Sequence, residues 1–356
     1  MKKLGHGADV EYMARLYKKS ADNICDFSSN INPRPVSNME EIVNNAIKNL
    51  TGYPDIEYKK LRDNISSYTG VDSQFIIPGN GATEIIYLLM KNIGRRLAIV
   101  HPTFSEYERS AVLSGLNTID IIMDYKKDFE LDIDYIESRC DEFDSIFICN
   151  PNNPDGSVRD ITRLLDMAER RGKLLIIDET FIEFTGDEDK YSLKDRIEKS
   201  ENLFIIRAVT KFFGIPGVRL GYGMTSNKKI IDGIYRYKEP WTINSFADAY
   251  SDYIFKDYKY ISESKTYFLN ERKYMTDELG KVKGIKAYRT DANFILIKLN
   301  EMSASELRKI LFERAEILIR DASNFKGLDD SFIRIAIKSH EDNERFIKAI
   351  NSVMGK

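Results

Sequence analysis

The stretch Leu203-Phe204-Ile205-Ile206-Arg207-Ala208-Val209-Thr210-Lys211-Phe212-Phe213-Gly214-Ile215-Pro216-Gly217-Val218-Arg219-Leu220-Gly221-Tyr222 opens on an apolar run and ends in a glycine-rich loop that carries a lysine and an arginine. The run at 203–206 is short, continuous and unalternating. A strand buried on both faces reads that way, and such strands belong to parallel sheets covered by helices. Lys211 then stands at the end of a buried strand, with the Thr210 hydroxyl one residue earlier and Arg219 eight residues later. An amine, a hydroxyl and a guanidinium so placed suit a Schiff base to an aldehyde that carries a phosphate. A lysine in a basic surface loop has the same local spacing, so the rest of the chain has to decide.

Working outward, similar apolar runs at 75–77, 97–100, 118–123, 146–149, 174–177 and 221–224 join 203–206 as predicted strands. Between them 83–93 sets Ile85, Ile86, Leu88, Leu89 and Ile93 at helical spacing, and 160–171 does so with Leu164, Leu165 and Met167 before Gly172 as a stop. The pattern predicts an α/β fold with a large, mostly parallel seven-stranded sheet, whose ligands bind beyond the carboxyl ends of the strands. After Lys238-Glu239-Pro240-Trp241 the texture changes to a long helical stretch at 245–279, strands at 294–298, 317–320 and 332–337, and helices at 305–314 and 341–353. That reads as a smaller α+β C-terminal domain. The expected division is an N-terminal arm at 1–35 packing with the small domain, a large domain at 36–240 and a small domain at 241–356.

Composition narrows the function classes. The 356 residues are 42% hydrophobic and 31% charged, with a mean hydropathy of −0.39. No apolar run approaches the ~20 residues that span a bilayer, and Met1 to Gly7 are not followed by a signal-like apolar segment, so a cytoplasmic protein without a membrane partner is expected. Cys25, Cys140 and Cys149 are too scattered for a disulfide framework, and with His6, His101 and His340 they form no metal-ligand pattern. A net charge of −3 argues against a nucleic-acid partner.

Four other strand ends carry chemistry. Pro78-Gly79-Asn80-Gly81-Ala82-Thr83-Glu84 turns tightly into a helix and forms an anion cradle, although plain turn chemistry has the same composition. It is neither a dinucleotide fingerprint nor a Walker loop, which weighs against a nucleotide-binding α/β protein. Asp178 follows the 174–177 run and suits a protonated pyridine nitrogen, where a lone acid would be a helix cap. Asn150-Pro151-Asn152-Asn153-Pro154-Asp155-Gly156 offers an amide in what is otherwise a turn, and His101-Pro102-Thr103-Phe104-Ser105-Glu106-Tyr107 offers an aromatic for a planar ring. Independent turn chemistry does not produce that set, and together with Lys211 it points to pyridoxal phosphate.

On these motifs the chain resembles the aspartate-aminotransferase superfamily of pyridoxal-phosphate enzymes, fold type I, and within it the histidinol-phosphate aminotransferase and threonine-phosphate decarboxylase branch. The resemblance implies that Lys211 is the Schiff-base lysine, that Asp178 pairs with the pyridinium, that Asn153 meets the phenolic oxygen and that Phe104 stacks on the ring. It implies that Gly81, Ala82, Thr83, Thr210 and Arg219 hold the cofactor phosphate. Tyr53, in Gly52-Tyr53-Pro54-Asp55, would reach the cofactor of a neighbouring subunit, so a homodimer with its active site at the interface is expected.

Gly5-His6-Gly7-Ala8-Asp9, Asp26-Phe27-Ser28-Ser29-Asn30-Ile31-Asn32-Pro33, Glu239-Pro240-Trp241-Thr242-Ile243-Asn244 and the run from Ile317 to Phe325 are similar to the threonine-phosphate decarboxylase pattern. Phe181 agrees, because aminotransferases of the branch usually carry tyrosine there. By the same resemblance Arg320 and Arg334 bind the anionic ends of a small phosphorylated amino acid or amine, and His6 and Asn32 complete its phosphate pocket. For His6 the plainer alternative is a terminus with no role. The implied activity is decarboxylation of L-threonine O-3-phosphate, in cobalamin assembly. The alternatives are transamination of histidinol phosphate or a related substrate and, outside enzymes, a regulator or scaffold of the same fold.

Overall fold

Residues 7 and 9–355 are described by a computed structural model. Seven strands form one sheet: β1 Ile76–Gly79, β2 Arg96–His101, β3 Asn117–Ile122, β4 Ser145–Cys149, β5 Leu174–Asp178, β6 Leu203–Ala208 and β7 Gly221–Met224. Their order is β1-β7-β6-β5-β4-β2-β3. The pairs from β3 through to β6 are parallel, whereas β7 runs antiparallel to both β1 and β6. The expected mostly parallel sheet is therefore present. Burial explains how the runs read: every residue of β4 and β6 is buried, while the edge strand β3 has exposed and covered positions.

The strands outlast their apolar runs. Asp178 still pairs in register with Cys149 and Ile206, because backbone pairing continues beneath a polar side chain and delivers it to the sheet's carboxyl edge. Side chains alternate across the sheet. Ile99, Phe147, Ile176, Phe204 and Ile206 pack on the side of Ile85, Ile86 and Leu89, while their neighbours Ile148, Ile177, Leu203 and Ile205 enter the larger core. The helix predicted at 83–93 spans Gly81–Met90, and Gly172, at φ 61°, closes the helix Thr162–Arg171 as anticipated.

The C-terminal part builds a four-stranded antiparallel sheet from β8 Ile285–Ala287, β9 Phe294–Leu299, β10 Arg320–Asp321 and β11 Phe332–Ala336, in the order β10-β11-β9-β8. The helical stretch at 245–279 divides into Ser245–Ile254 and Tyr258–Leu279, the second capped by Asp257. The run at 317–320 also divides. Ile317–Leu318 pairs in parallel with Cys25–Asp26, and the chain then crosses to join β11 through Arg320–Asp321. Ile317, Leu318 and Ile319 are all buried, so this segment needs cover on more than one side, and the N-terminal segment supplies it. Met13 packs against Phe312 and Leu318, the Phe27 N–H donates to the Leu318 carbonyl (2.8 Å) and the Ala336 N–H donates to the Phe27 carbonyl (2.8 Å). Among the described residues no helix is long and apolar enough to cross a membrane, and no cluster of ligating side chains could hold a metal ion.

Candidate active site

At the carboxyl edge of the parallel strands lies a cavity of about 270 Å³. Lys211 enters it from the short helix Val209–Phe212, directly after β6. Asp178 enters from the neighbouring end of β5. Both groups are perturbed, and burial is the leading cause for each. The Lys211 amine is pushed down to about 8 by burial and by the charges of Arg334, Arg219 and Lys338, with Asp178 opposing. A lysine so placed is partly neutral near physiological pH and thus nucleophilic.

The Asp178 carboxyl is shifted upward by burial, although it accepts from the Thr180 N–H and the Tyr107 hydroxyl and feels Lys211 nearby. Those bonds are 2.8 Å and 2.6 Å long. A buried acid held by two donors, near Lys211 and still lifted, has room for a further cation beside it, which a protonated ring nitrogen would supply.

The cradle combines a helix start with a guanidinium. Gly81 has φ +74°, and a Cβ there would lie 2.3 Å from Arg219 Nη2, so the guanidinium sits directly over the first turn. A Cβ on Gly221 would meet the Ala82 nitrogen at 2.4 Å. The Asn80 side chain makes no capping bond to this helix, which leaves first-turn N–H groups available to an anion alongside Thr83, Thr210 and Arg219. Glu84 would repel an anion there, but its carboxylate accepts from the Asn80 N–H and pairs with Lys238 at 2.7 Å. This donor set fits a phosphate.

A second cationic group closes the cavity. Arg334 is buried on β11, donates to Asn153 Oδ1 at 2.6 Å and to the Ser28 carbonyl at 3.0 Å, and has no partner for Nε. Burial, reinforced by Arg320, brings its pKa down to about 9. Arg320 is lowered to about 10, mainly by burial, and holds Asn324 Oδ1 at 2.6 Å. Two desolvated guanidiniums in one cavity favour an anionic ligand. The Arg334 bond also commits the Asn153 oxygen and leaves its amide N–H groups to donate.

Ten of the residues singled out from the sequence line this cavity: Ala82, Thr83, Phe104, Asn153, Asp178, Thr210, Lys211, Arg219, Arg320 and Arg334. Gly81 underlies Arg219. Asn32 does not reach the cavity lining. Its buried amide donates to the Phe212 carbonyl (2.8 Å) and Tyr260 (3.0 Å), and its N–H to the Lys211 carbonyl (3.0 Å). It thus buttresses the lysine-bearing turn, because a carbonyl left at the end of so short a helix needs a donor. Tyr53 is 83% exposed and packs on Trp241 outside the cavity. His6 lies outside the described residues, and Gly7 lines the cavity.

Sequence reasoning missed Tyr107, Ser28, Ser29, Asn324 and Phe325, which also line the site. Tyr107, in the first turn of the helix Glu106–Leu113, meets Phe104 edge-on with ring centroids 5.7 Å apart. Phe181, buried edge-on against Phe294, brings an apolar ring where a phenol would bring a donor.

Known proteins share this architecture. A protein of Caldanaerobacter subterraneus subsp. tengcongensis assigned as a threonine-phosphate decarboxylase is 40% identical over 331 residues, 91% of this chain and 89% of that protein. The crystal structure of the histidinol-phosphate aminotransferase from Clostridium acetobutylicum is 39% identical, covers 93% of this chain and 99% of its own, and superposes with a TM-score of 0.88. The histidinol-phosphate aminotransferase of Sinorhizobium meliloti, solved in complex with pyridoxal-5'-phosphate, is 16% identical and shares the fold, with a TM-score of 0.84 over 97% of this chain and 95% of that one. The model of the family "Aminotransferase class I and II" matches residues 22–350, and the chain belongs to that family.

Proposed function

We propose that the protein is a pyridoxal-phosphate-dependent enzyme that decarboxylates L-threonine O-3-phosphate or a close phosphorylated analogue, acting as a cytoplasmic homodimer. The observation that carries this is the meeting, in one cavity, of the Lys211 amine and Asp178 with the two desolvated guanidiniums of Arg320 and Arg334. Bound there, pyridoxal phosphate supplies an aldehyde for the substrate amine and a pyridinium that withdraws electrons from the α-carbon.

The residues would divide the work as follows. Ala82, Thr83, Thr210 and Arg219, with Gly81 giving room, would hold the cofactor phosphate, Phe104 would face the ring and Asn153 would donate to its phenolic oxygen. Asp178, aimed by Tyr107 and Thr180, would keep the ring nitrogen protonated. Arg320 and Arg334 would take the carboxylate and phosphate of the substrate, and the walls from the N-terminal segment and Phe181 would exclude water. The Lys211 amine would deliver or remove a proton at the α-carbon of the substrate. Delivery after loss of carbon dioxide completes a decarboxylation, whereas removal of the α-proton begins a transamination.

The exposed Tyr53–Trp241 pair, with Ile47, Leu50 and Ile56 also exposed nearby in sequence, supports an association that covers this face. We further read the arm at 1–35, the large domain at 36–240 and the small domain at 241–356 as three parts that enclose the site.

The second reading, transamination of histidinol phosphate, draws on the near-equal identity, 40% and 39%, to relatives of the two kinds. The test incubates the cofactor-loaded enzyme with O-phospho-L-threonine and with L-histidinol phosphate, each with and without 2-oxoglutarate. Acceptor-independent carbon dioxide from the first supports the proposal. Acceptor-dependent glutamate from the second replaces it, and no turnover of either contradicts both.

A further inference from the structure

The segment that follows β10 supplies Asn324 and Phe325 to the cavity that Arg320 and Phe104 also line. Its neighbour Lys326 points elsewhere. The ammonium lies 2.6 Å from Glu108 Oε1 and 2.9 Å and 3.0 Å from the two Asp120 oxygens. Glu108 sits in the first turn of the helix Glu106–Leu113, which begins just beyond Phe104 and Ser105. Asp120 lies on the edge strand β3, where its Oδ1 is 3.1 Å from His101 Nε2 at the start of the Phe104 loop. The backbone approaches there too, since a Cβ on Gly327 would come within 3.2 Å of Ile122 Cγ2. Asp120 and Ile122 are both exposed residues of β3, and period-two alternation puts them on one face.

We infer that Lys326 is a positioning residue that ties the substrate-facing segment 320–328 to the wall carrying Phe104, and so sets where Arg320, Asn324 and Phe325 stand over the substrate. The inference rests on the proposed reading only for its choice of substrate. One lysine held by two carboxylates from different elements is a geometric clasp rather than a stray surface pair. The three side chains are each a little over one third exposed, so the clasp is reversible and sensitive to salt. Lys326 touches no reacting atom in this arrangement. It acts on binding, through the residues it holds, and leaves the chemistry to Lys211 and Asp178.

The test compares wild type, Lys326→Met, which keeps the apolar stem, and Lys326→Arg, which keeps the charge, all as cofactor-loaded enzyme. Amide hydrogen exchange over 320–328 and calorimetric affinity for inorganic phosphate need no assumption about the substrate, and KM and kcat for O-phospho-L-threonine add the split. Expected for Lys326→Met are exchange and phosphate Kd each raised about five-fold, the worth of ~1 kcal/mol, KM raised similarly and kcat unchanged. Lys326→Arg should restore all of these, and added salt should bring the wild type toward the methionine variant. Unchanged exchange, or faster exchange with unchanged phosphate affinity, overturns the inference. Absence of turnover in the wild type would count against the proposed substrate and still leave the exchange and phosphate results decisive for the clasp.

Discussion

The Tyr107 hydroxyl donates to Asp178 Oδ2 across 2.6 Å, and the tyrosine ring lies stacked on Phe147 with centroids 4.0 Å apart. The ring therefore packs against β4 while the hydroxyl aims the acid. Tyr107→Phe keeps the first and deletes the second. Hydrogen bonds to charged groups contribute about 1.5–3 kcal/mol, so the variant should bind pyridoxal phosphate roughly ten-fold more weakly with little change in melting temperature. Cofactor titration followed by absorbance checks this, and an unchanged affinity would show that Asp178 needs no such aiming.

Lys211 gives a pH dependence with a definite sign. Its amine is held near 8, below the ordinary 10.5, chiefly by burial. Below pH ~8 it is protonated in folded and unfolded chains alike, and the folded protein bears the full cost of the buried charge. Between about 8 and 10.5 the unfolded chain binds the extra proton, so this contribution to stability improves as pH rises. Cofactor-free Lys211→Met should accordingly be more stable than wild type at pH ~7, by on the order of 3 kcal/mol. That advantage should fade as pH climbs through the window, as measured by urea melts. An advantage that persists at high pH would contradict the assignment.

Gly81→Ala should act through Arg219. At φ +74° an alanine is strained, and its Cβ would lie 2.3 Å from Arg219 Nη2, so the guanidinium must leave the cradle. Both Gly81→Ala and Arg219→Ala should weaken cofactor binding by roughly ten- to a hundred-fold. The double variant should be little worse than either, because neighbours that share one interaction are not additive. Additive losses would show that the two residues act separately.

Behind the site, Arg207 is buried with Glu179 at 2.8 Å and the Ser192 hydroxyl at 2.9 Å. Arg207→Met should cost about 3–5 kcal/mol by leaving a buried carboxylate unpaired, and adding Glu179→Leu should restore much of that. Denaturant melts of the single and double variants decide it. A double variant no better than the single would mean that the arginine's other contacts dominate.

Asp178 was legible because it directly follows a continuous apolar run, and Lys211 because it stands in the turn just past one, beside Thr210 and ahead of Arg219. Arg207, which directly follows the 203–206 run, instead pairs with Glu179 behind the site. The sheet was legible from the apolar runs themselves, down to the strand at 221–224. Tyr107 was hidden because its importance depends on Asp178, 71 residues away, and nothing local distinguishes it from a core tyrosine. Asn32 looked like a ligand for an anion, but the Phe212 carbonyl claims its amide. The run at 317–320 gave no sign of its crossing between sheets, since the partner that divides it, Cys25–Asp26, lies near the other end of the chain. Strand patterns record burial, and they do not record which edge provides the pairing.

Borohydride reduction of the protein incubated with pyridoxal phosphate, followed by peptide mass mapping, locates the amine that condenses with the aldehyde. One stable adduct of cofactor mass is expected on the peptide that carries Lys211, lost in Lys211→Ala. An adduct confined to other lysines, or none at all, would contradict it.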